Sequence, residues 1–153
     1  TLMNIPQAVW CLLPKDHPLA KQEALRLADC LMHPLILPES GDGVRELIDN
    51  AAIRKGLLCR AAVETNDPTV VEDLVSLNCG LAFVCEMEAK ARTDKFTGDD
   101  HTSSSEGSSG VVAKPMLPGE VEHGFIFIGQ ARNRTLPVAV ARFVEDLRAL
   151  MDE

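Results

Sequence analysis

The sequence pattern that most constrains the fold occurs twice. An apolar run breaks off into a short polar stretch, and helical spacing begins immediately afterwards. The pattern is seen in PLILPESGDGVRELI, at residues 34 to 48, and again in LLCRAAVETNDPTVV, at residues 57 to 71. A short apolar run followed by an amphipathic segment is typical of a β-strand that leads into an α-helix. The sequence therefore predicts two strand-to-helix junctions.

Further apolar runs extend this alternation over the first ninety residues. In chain order we predict a strand at 9–13, a helix at 24–31, a strand at 35–37, a helix at 43–55, a strand at 57–63, a helix from Pro68 that ends before Asn78, and a strand at 81–85. Four strands that alternate with three helices favour an α/β fold, with a parallel-rich sheet and crossover helices. In such sheets ligands gather at the carboxyl ends of the strands, which is where both junctions fall.

A strand-to-helix junction has two interpretations. The first turn of a helix has backbone N–H groups without partners and a partial positive charge, so it can bind an anion. Alternatively, Ser40 or Asp42 simply caps the first of the two helices, and Asp67 caps the second with Pro68 in its first position. The residues at the junctions leave both interpretations open.

The rest of the chain begins with a stretch of different composition. Residues 93–110, TDKFTGDDHTSSSEGSSG, are rich in Ser, Gly and Asp and predict a flexible loop or linker. His101 lies there beside two aspartates, but a flexible polar run is a poor metal site. Beyond it we predict strands at 111–113 and 124–128 and a helix from Leu136. The apolar stripe of this last helix is interpreted as core or dimer contact: Leu136, Val140, Phe143, Val144, Leu147, Leu150 and Met151.

Charge and composition exclude several classes of function. The net charge of −8 and the absence of a Lys/Arg cluster argue against nucleic-acid contact by these residues. No apolar run approaches the roughly 20 residues needed to cross a bilayer, and the N-terminal sequence lacks the pattern of a signal peptide. No Gly-rich phosphate loop, nucleophile–base pair or metal cluster is present, so neither catalysis nor a cofactor is predicted.

The five cysteines occur singly in apolar surroundings, without a Cys-x-x-Cys pair: Cys11, Cys30, Cys59, Cys79 and Cys85. We interpret them as small core residues of a cytoplasmic protein. A redox role for two that lie close together remains open, since sequence does not say which sulfurs approach each other.

Three stretches of the chain together resemble a known family. DHPLA at residues 16–20, followed by PLILP, is the first. ETNDPTVVEDLVSLNCGLAFV is the second, and FIGQARNRTLPVAVARFVEDLRAL is the third. In this order and spacing they resemble the effector-binding regulatory domain of LysR-type transcriptional regulators, over nearly the whole chain apart from residues 93–110.

The resemblance implies a fold like that of type 2 periplasmic binding proteins, with two α/β lobes and a small effector in the cleft between them. Residues 1–92 would form mainly the second lobe, 93–110 a loop or linker, and 111–153 the closing strands and C-terminal helix, a remnant of the first lobe. The family also has a preceding winged helix-turn-helix and an earlier half of the first lobe. Both are missing here, and the chain starts at Thr1, so we expect it to be part of a longer protein.

The resemblance also implies a site. The start of the helix after PLILP would face the cleft, so Ser40, Gly41, Asp42 and Gly43 would bind the effector, and Thr65, Asn66 and Asp67 would border it. A Ser40 hydroxyl and flexible glycines suit a small organic acid. Glu39 and Asp42 would repel an anion unless they point outward or the ligand is cationic or hydroxyl-bearing.

The implied partners are a small-molecule effector, further copies of the chain in a dimer or tetramer, and DNA only through the missing helix-turn-helix. No membrane partner is expected. Two rivals remain. One is a transport protein of the same fold that binds a solute. The other is a small α/β enzyme with Cys79, Cys85 or His17 as catalyst, which would need a partner within hydrogen-bond reach.

Overall fold

The computed structural model describes residues 2–97 and 110–152. The chain forms two compact units, one from its two ends (Thr1–Pro6 and Phe125–Glu153) and a larger one from Gln7–Gly124. In chain order the elements are β1 (Met3–Gln7), β2 (Val9–Pro14), a 3₁₀ turn (Pro18–Lys21), α1 (Leu27–Cys30), β3 (Leu35–Leu37), α2 (Gly43–Arg54), β4 (Ala61–Glu64), α3 (Pro68–Ser76), β5 (Leu81–Cys85), α4 (Glu86–Thr97), β6 (Val111–Pro115), β7 (Gly124–Ile128) and α5 (Val138–Met151).

The larger unit is built on a five-stranded mixed sheet with the order β4-β3-β5-β2-β6. β3 runs parallel to β4 and to β5, as the intervening helices α2 and α3 require. β2 is antiparallel to both β5 and β6. The parallel-rich sheet predicted from the sequence is present in β4, β3 and β5, and the antiparallel direction of β2 could not be predicted, because an apolar run reveals a strand but not its direction.

The hydrophobic core lies on both faces of this sheet. Neighbouring residues of one strand contribute to different clusters, since successive side chains point to opposite faces. Cys11 and Leu13 of β2 pack on the side of α2, whereas Leu12 packs on the side of α3. Because helices cover both faces, β2, β3 and β5 are largely buried and apolar rather than alternating.

Two predicted elements prove shorter than their apolar patterns indicate. The helix predicted at 24–31 is confined to Leu27–Cys30, because Leu25 forms a β-bridge with Met116 and Arg26 is extended. The strand predicted at 57–63 is confined to Ala61–Glu64, because the Leu57 N–H still donates to the Ala52 carbonyl at the end of α2. Both apolar ends serve packing and loop contacts instead.

The region after β5 differs most from the prediction. α4 runs from Glu86 to Thr97, so residues 93–97, predicted as loop, are helical. Residues 98–109, including His101, lie outside the described residues. None of the helices in the two described stretches has the length and apolarity that crossing a membrane requires.

The smaller unit pairs β1, which the sequence did not predict, with β7. Its helix α5 begins at Val138 rather than Leu136, since Pro137 occupies the N-cap position. None of the described residues of α5 is fully buried, and Phe143 is 63% exposed. The apolar stripe is therefore not buried among the described residues, and its role as a core or dimer contact stays a prediction.

The cysteines are only partly the core residues predicted. All five are free thiols; Cys11 and Cys30 are fully buried, whereas Cys79 is exposed. A hydrogen bond with Cys30, together with burial, raises the pKa of the Cys11 thiol well above its ordinary value. Because the thiolate is the reactive form, Cys11 is held in its unreactive state.

Candidate functional site

The first junction is a tight turn between β3 and α2. The Asp42 N–H donates to the Glu39 carbonyl at 3.2 Å. Gly41 has φ +95°, a conformation that other residues adopt only with strain, and Ser40 lies exposed beside it. The Asp42 carboxylate accepts hydrogen bonds from the N–H groups of Val44 at 2.9 Å and Arg45 at 3.3 Å. Asp42 is therefore an N-cap of α2.

The second junction, between β4 and α3, repeats this geometry. The Asp67 carboxylate accepts from the N–H groups of Thr69 at 2.9 Å and Val70 at 3.4 Å, with Pro68 in the first helical position. The Thr65 hydroxyl oxygen accepts from the Asp67 N–H at 3.2 Å. Both capping interpretations from the sequence are therefore correct for the two aspartates.

The two junctions lie side by side and are joined by a reciprocal pair of hydrogen bonds. The Glu39 N–H donates to the Asn66 side-chain oxygen at 3.0 Å, and the Asn66 amide donates to the Glu39 carboxylate at 3.1 Å. The Thr65 N–H also donates to the Leu37 carbonyl at 3.0 Å. The carboxyl ends of β3 and β4 thus form one connected surface.

A cavity of about 280 Å³ opens between these junctions and the ends of β5 and α4. Three of the predicted site residues line it, namely Asp42, Thr65 and Asn66. The other four, Ser40, Gly41, Gly43 and Asp67, lie in the same two turns but outside the lining. The rest of the wall comes from Ile36, Pro38, Val44, Pro68, Val71, Ala82, Phe83, Val84, Cys85 and Glu88.

Sequence reasoning missed the contribution of α4, which brings Glu88 to the cavity. A signal for this helix is present in EMEAKAR, where Glu86 pairs with Lys90 at 2.7 Å and Glu88 approaches Arg92 at 3.9 Å, each four residues apart. Such spacing favours a helix, as do acidic residues in the first turn. A helix starting directly after β5 would have placed Glu88 near the carboxyl end of that strand.

Arg45 connects the two strand-to-helix junctions through hydrogen bonds. Its guanidinium donates to the Pro38 carbonyl at 2.8 Å, to Glu64 at 2.9 Å and to Asp49 at 3.0 Å. The side chain is only 12% exposed. The hydrogen bond with Glu64 raises the pKa of Arg45 above its ordinary value. One partly buried cation thereby connects α2, the end of β3 and the end of β4.

We expect Arg45→Met to lower the free energy of unfolding by about 1–3 kcal/mol, because three acceptors lose a charged donor while the apolar stem is retained. Urea denaturation monitored by circular dichroism measures the change. Arg54→Met is the matched control, because Arg54 is 46% exposed and pairs with exposed Glu122, so its loss should cost less than about 1 kcal/mol. Equal costs for the two variants would contradict the connecting role of Arg45.

His17, considered above as a catalyst, has a structural role. Its Nδ1 accepts a hydrogen bond from the Leu19 N–H at 3.1 Å and caps the 3₁₀ turn. Its ring meets that of His33 edge-on, with the centroids 4.5 Å apart. Burial, and to a smaller extent His33, lower the pKa of His17. A neutral imidazole that accepts from backbone is a turn residue rather than a nucleophile activator.

A model of the LysR substrate binding domain matches residues 6–95 of the chain. The chain belongs to this family. The LysR substrate-binding domain so identified includes both junctions and every residue of the cavity lining.

Relatives and solved structures agree with this assignment. The HTH-type transcriptional regulator cbl of Klebsiella aerogenes is 37% identical over 101 residues, which cover 63% of this chain and 32% of that regulator. The chain thus spans about a third of the length of the curated relatives it matches.

Two solved structures show the fold. The cofactor-binding domain of the Cbl regulator is 25% identical, with a TM-score of 0.67 over 94% of this chain and 57% of that one. The effector-binding domain of QuiR in complex with shikimate is 17% identical, with a TM-score of 0.65 over 93% of this chain and 59% of that one. The predicted family and α/β fold, of the type 2 periplasmic-binding-protein kind, are confirmed.

Proposed function

We propose that this LysR substrate-binding domain senses a small-molecule effector in the cavity between the two junctions. The observation that carries the proposal is the convergence of Asp42, Thr65 and Asn66 on one cavity at the carboxyl ends of parallel strands. Ligands of open α/β sheets bind at such positions. Ser40, Gly41, Gly43 and Asp67 shape the turns that carry these side chains.

Effector binding in turn controls DNA binding and transcription by the full-length protein, whose helix-turn-helix is not part of this sequence. The relative cbl of Klebsiella aerogenes is an HTH-type transcriptional regulator. In this proposal residues 1–92 form mainly the second lobe and 111–153 a remnant of the first. The protein acts in the cytoplasm as a dimer or tetramer and performs no catalysis.

An effector can shift such a regulator only by its difference in affinity for two conformations of the protein. The cavity wall combines residues from β3, β5, α2, α3 and α4, so a bound molecule contacts several elements at this end of the sheet. A ligand that fits one arrangement of these elements better than another would therefore stabilise that arrangement. This is the property required of a sensor.

A thermal-shift screen of the chain against amines, alcohols, amino acids and organic acids tests the proposal, because a ligand of the folded state raises the melting temperature. Hits are expected to lose about tenfold or more in affinity in Thr65→Val, which removes the cavity hydroxyl. Thr69→Val is the matched control, since Thr69 is exposed on α3 and does not line the cavity.

Three results would contradict this assignment. A hit that binds both threonine variants as it binds the unaltered chain would place the effector elsewhere. Chemical turnover of a bound compound would favour the enzyme rival. A transport role would be favoured if the full-length protein bound its ligand with no effect on its affinity for promoter DNA.

A further inference from the structure

The charged groups that line the cavity are all of one sign. Asp42 and Glu88 contribute carboxylates, and the lining contains no Lys, Arg or His among the described residues. Asp42 is exposed, and the side chain of Glu88 is 43% exposed, so both keep their charge accessible to a ligand. The immediate electrostatic environment therefore opposes a carboxylate ligand.

The helix start that the sequence suggested for binding an anion is already occupied. In α3, Pro68 has no N–H, and the N–H groups of Thr69 and Val70 donate to the Asp67 carboxylate. The next N–H, that of Val71, donates to the Asp67 carbonyl at 3.1 Å. The first turn of α3 consequently has no backbone donor to offer.

Most backbone N–H groups in the first turn of α2 also have acceptors already. The N–H groups of Val44 and Arg45 donate to the Asp42 carboxylate, and that of Glu46 donates to the Asp42 carbonyl at 3.0 Å. Only the N–H of Gly43 remains in this first turn. Each helix also has its partial positive charge balanced by the aspartate that caps it, so neither is a strong anion site.

The arginine of α4 does not offset the negative charge of the cavity wall. Arg92 pairs with Glu72 at 2.9 Å, and its distance to Glu88 is 3.9 Å. One guanidinium is thus shared between two carboxylates, and it lies outside the lining. Among the side chains of the wall, the Thr65 hydroxyl and the second amide hydrogen of Asn66 can donate to a ligand, because the first amide hydrogen is bound to Glu39.

We propose, resting on the function proposed above, that the effector is a small amine whose primary ammonium group is directed at Asp42 and Glu88. Its compact apolar body packs against Ile36, Val71 and Val84. An ammonium group provides three donors and no acceptor, which complements a wall that is rich in carboxylate oxygens. This assignment differs from the organic acid expected from the sequence.

Sets of three compounds with the same carbon body test the assignment. Each set contains a primary amine, the matching alcohol and the matching carboxylic acid, from propyl to hexyl and including branched bodies. Dissociation constants for the 153-residue chain are measured by calorimetry at fixed ionic strength and neutral pH. In the sets that bind, the amine is expected to bind roughly tenfold more tightly than the acid.

Charge variants separate a specific contact from the overall negative charge. Glu88→Gln should remove most of the preference for the amine, whereas Glu23→Gln, an equal change in net charge at an exposed residue outside the lining, should leave it unchanged. Acids that bind as tightly as the amines, or an equal effect of both variants, would overturn the ammonium assignment.

The experiments distinguish an error in the ligand class from an error in the effector cavity. If the thermal-shift screen finds ligands whose binding depends on Thr65 but none of them bears an ammonium group, only the ligand class is wrong. If neither the screen nor the amine series gives binding, both the ligand class and the effector cavity are wrong.

Discussion

Gly80→Ala is expected to lower the free energy of unfolding by about 2–4 kcal/mol, one of the two largest effects expected from a single substitution in this domain. A Cβ atom at position 80 would lie 2.7 Å from the carbonyl oxygen of Pro34. That carbonyl cannot move away freely, because it accepts the Leu81 N–H at 2.9 Å at the start of the pairing between β3 and β5. The substitution therefore forces the two central strands apart.

Urea denaturation of Gly80→Ala measures the loss, and Gly43→Ala is the matched control. A Cβ at position 43 meets no atom within 4 Å, and the residue lies at the start of α2. There the substitution should be neutral or stabilise the domain by up to about 1 kcal/mol, since alanine restricts the unfolded chain more than glycine. Equal stability of the two variants would show that β3 and β5 can separate near Pro34 with little loss in the free energy of unfolding.

Ile36→Ala has the second large effect, an expected loss of about 2–5 kcal/mol. Ile36 is 1% exposed at the centre of β3, packs with Leu12 and Val75, and forms part of the cavity wall. Its replacement removes buried methyl and methylene groups and leaves space that the surrounding strands cannot fill.

The control for this prediction is Ile53→Ala on the surface of α2. Ile53 is 74% exposed, so the same truncation there should change the free energy of unfolding by no more than about 0.5 kcal/mol. Thermal and urea unfolding of both variants provide the comparison. A cost below about 1 kcal/mol for Ile36→Ala would mean that the cavity region collapses around the deletion and is not a preformed pocket.

The parts of the fold that local chemistry dictates could be predicted from the sequence. Asp67 and Pro68 define the start of α3, and Gly56, with φ +65°, follows the end of α2. Caps, proline and glycine act on their immediate neighbours, so their effects can be inferred without knowing what packs nearby. The adjacency of the two junctions followed from parallel strands ending at one edge.

The incorrect or missing predictions from sequence concern features that depend on contacts between residues far apart in the chain. The direction of β2 is decided by β5 and β6, and the residues of β6 lie about a hundred positions further along the chain. Leu25 belongs to a β-bridge rather than a helix for the same kind of reason, since its partner is Met116. Glu88 was missed as a cavity residue because its place depends on α4, whose helical spacing was not recognised.

The reciprocal hydrogen bonds between Glu39 and Asn66 have a consequence for how this domain changes over evolutionary time. Each side chain satisfies the other, so replacing Asn66 with a carboxylate would set two like charges against each other, and losing Glu39 would leave an amide donor without its partner. The two positions are separated by 27 residues in the chain, but we expect them to be substituted together. When one of these turns changes in a lineage, we therefore expect substitutions in the other turn to accompany it.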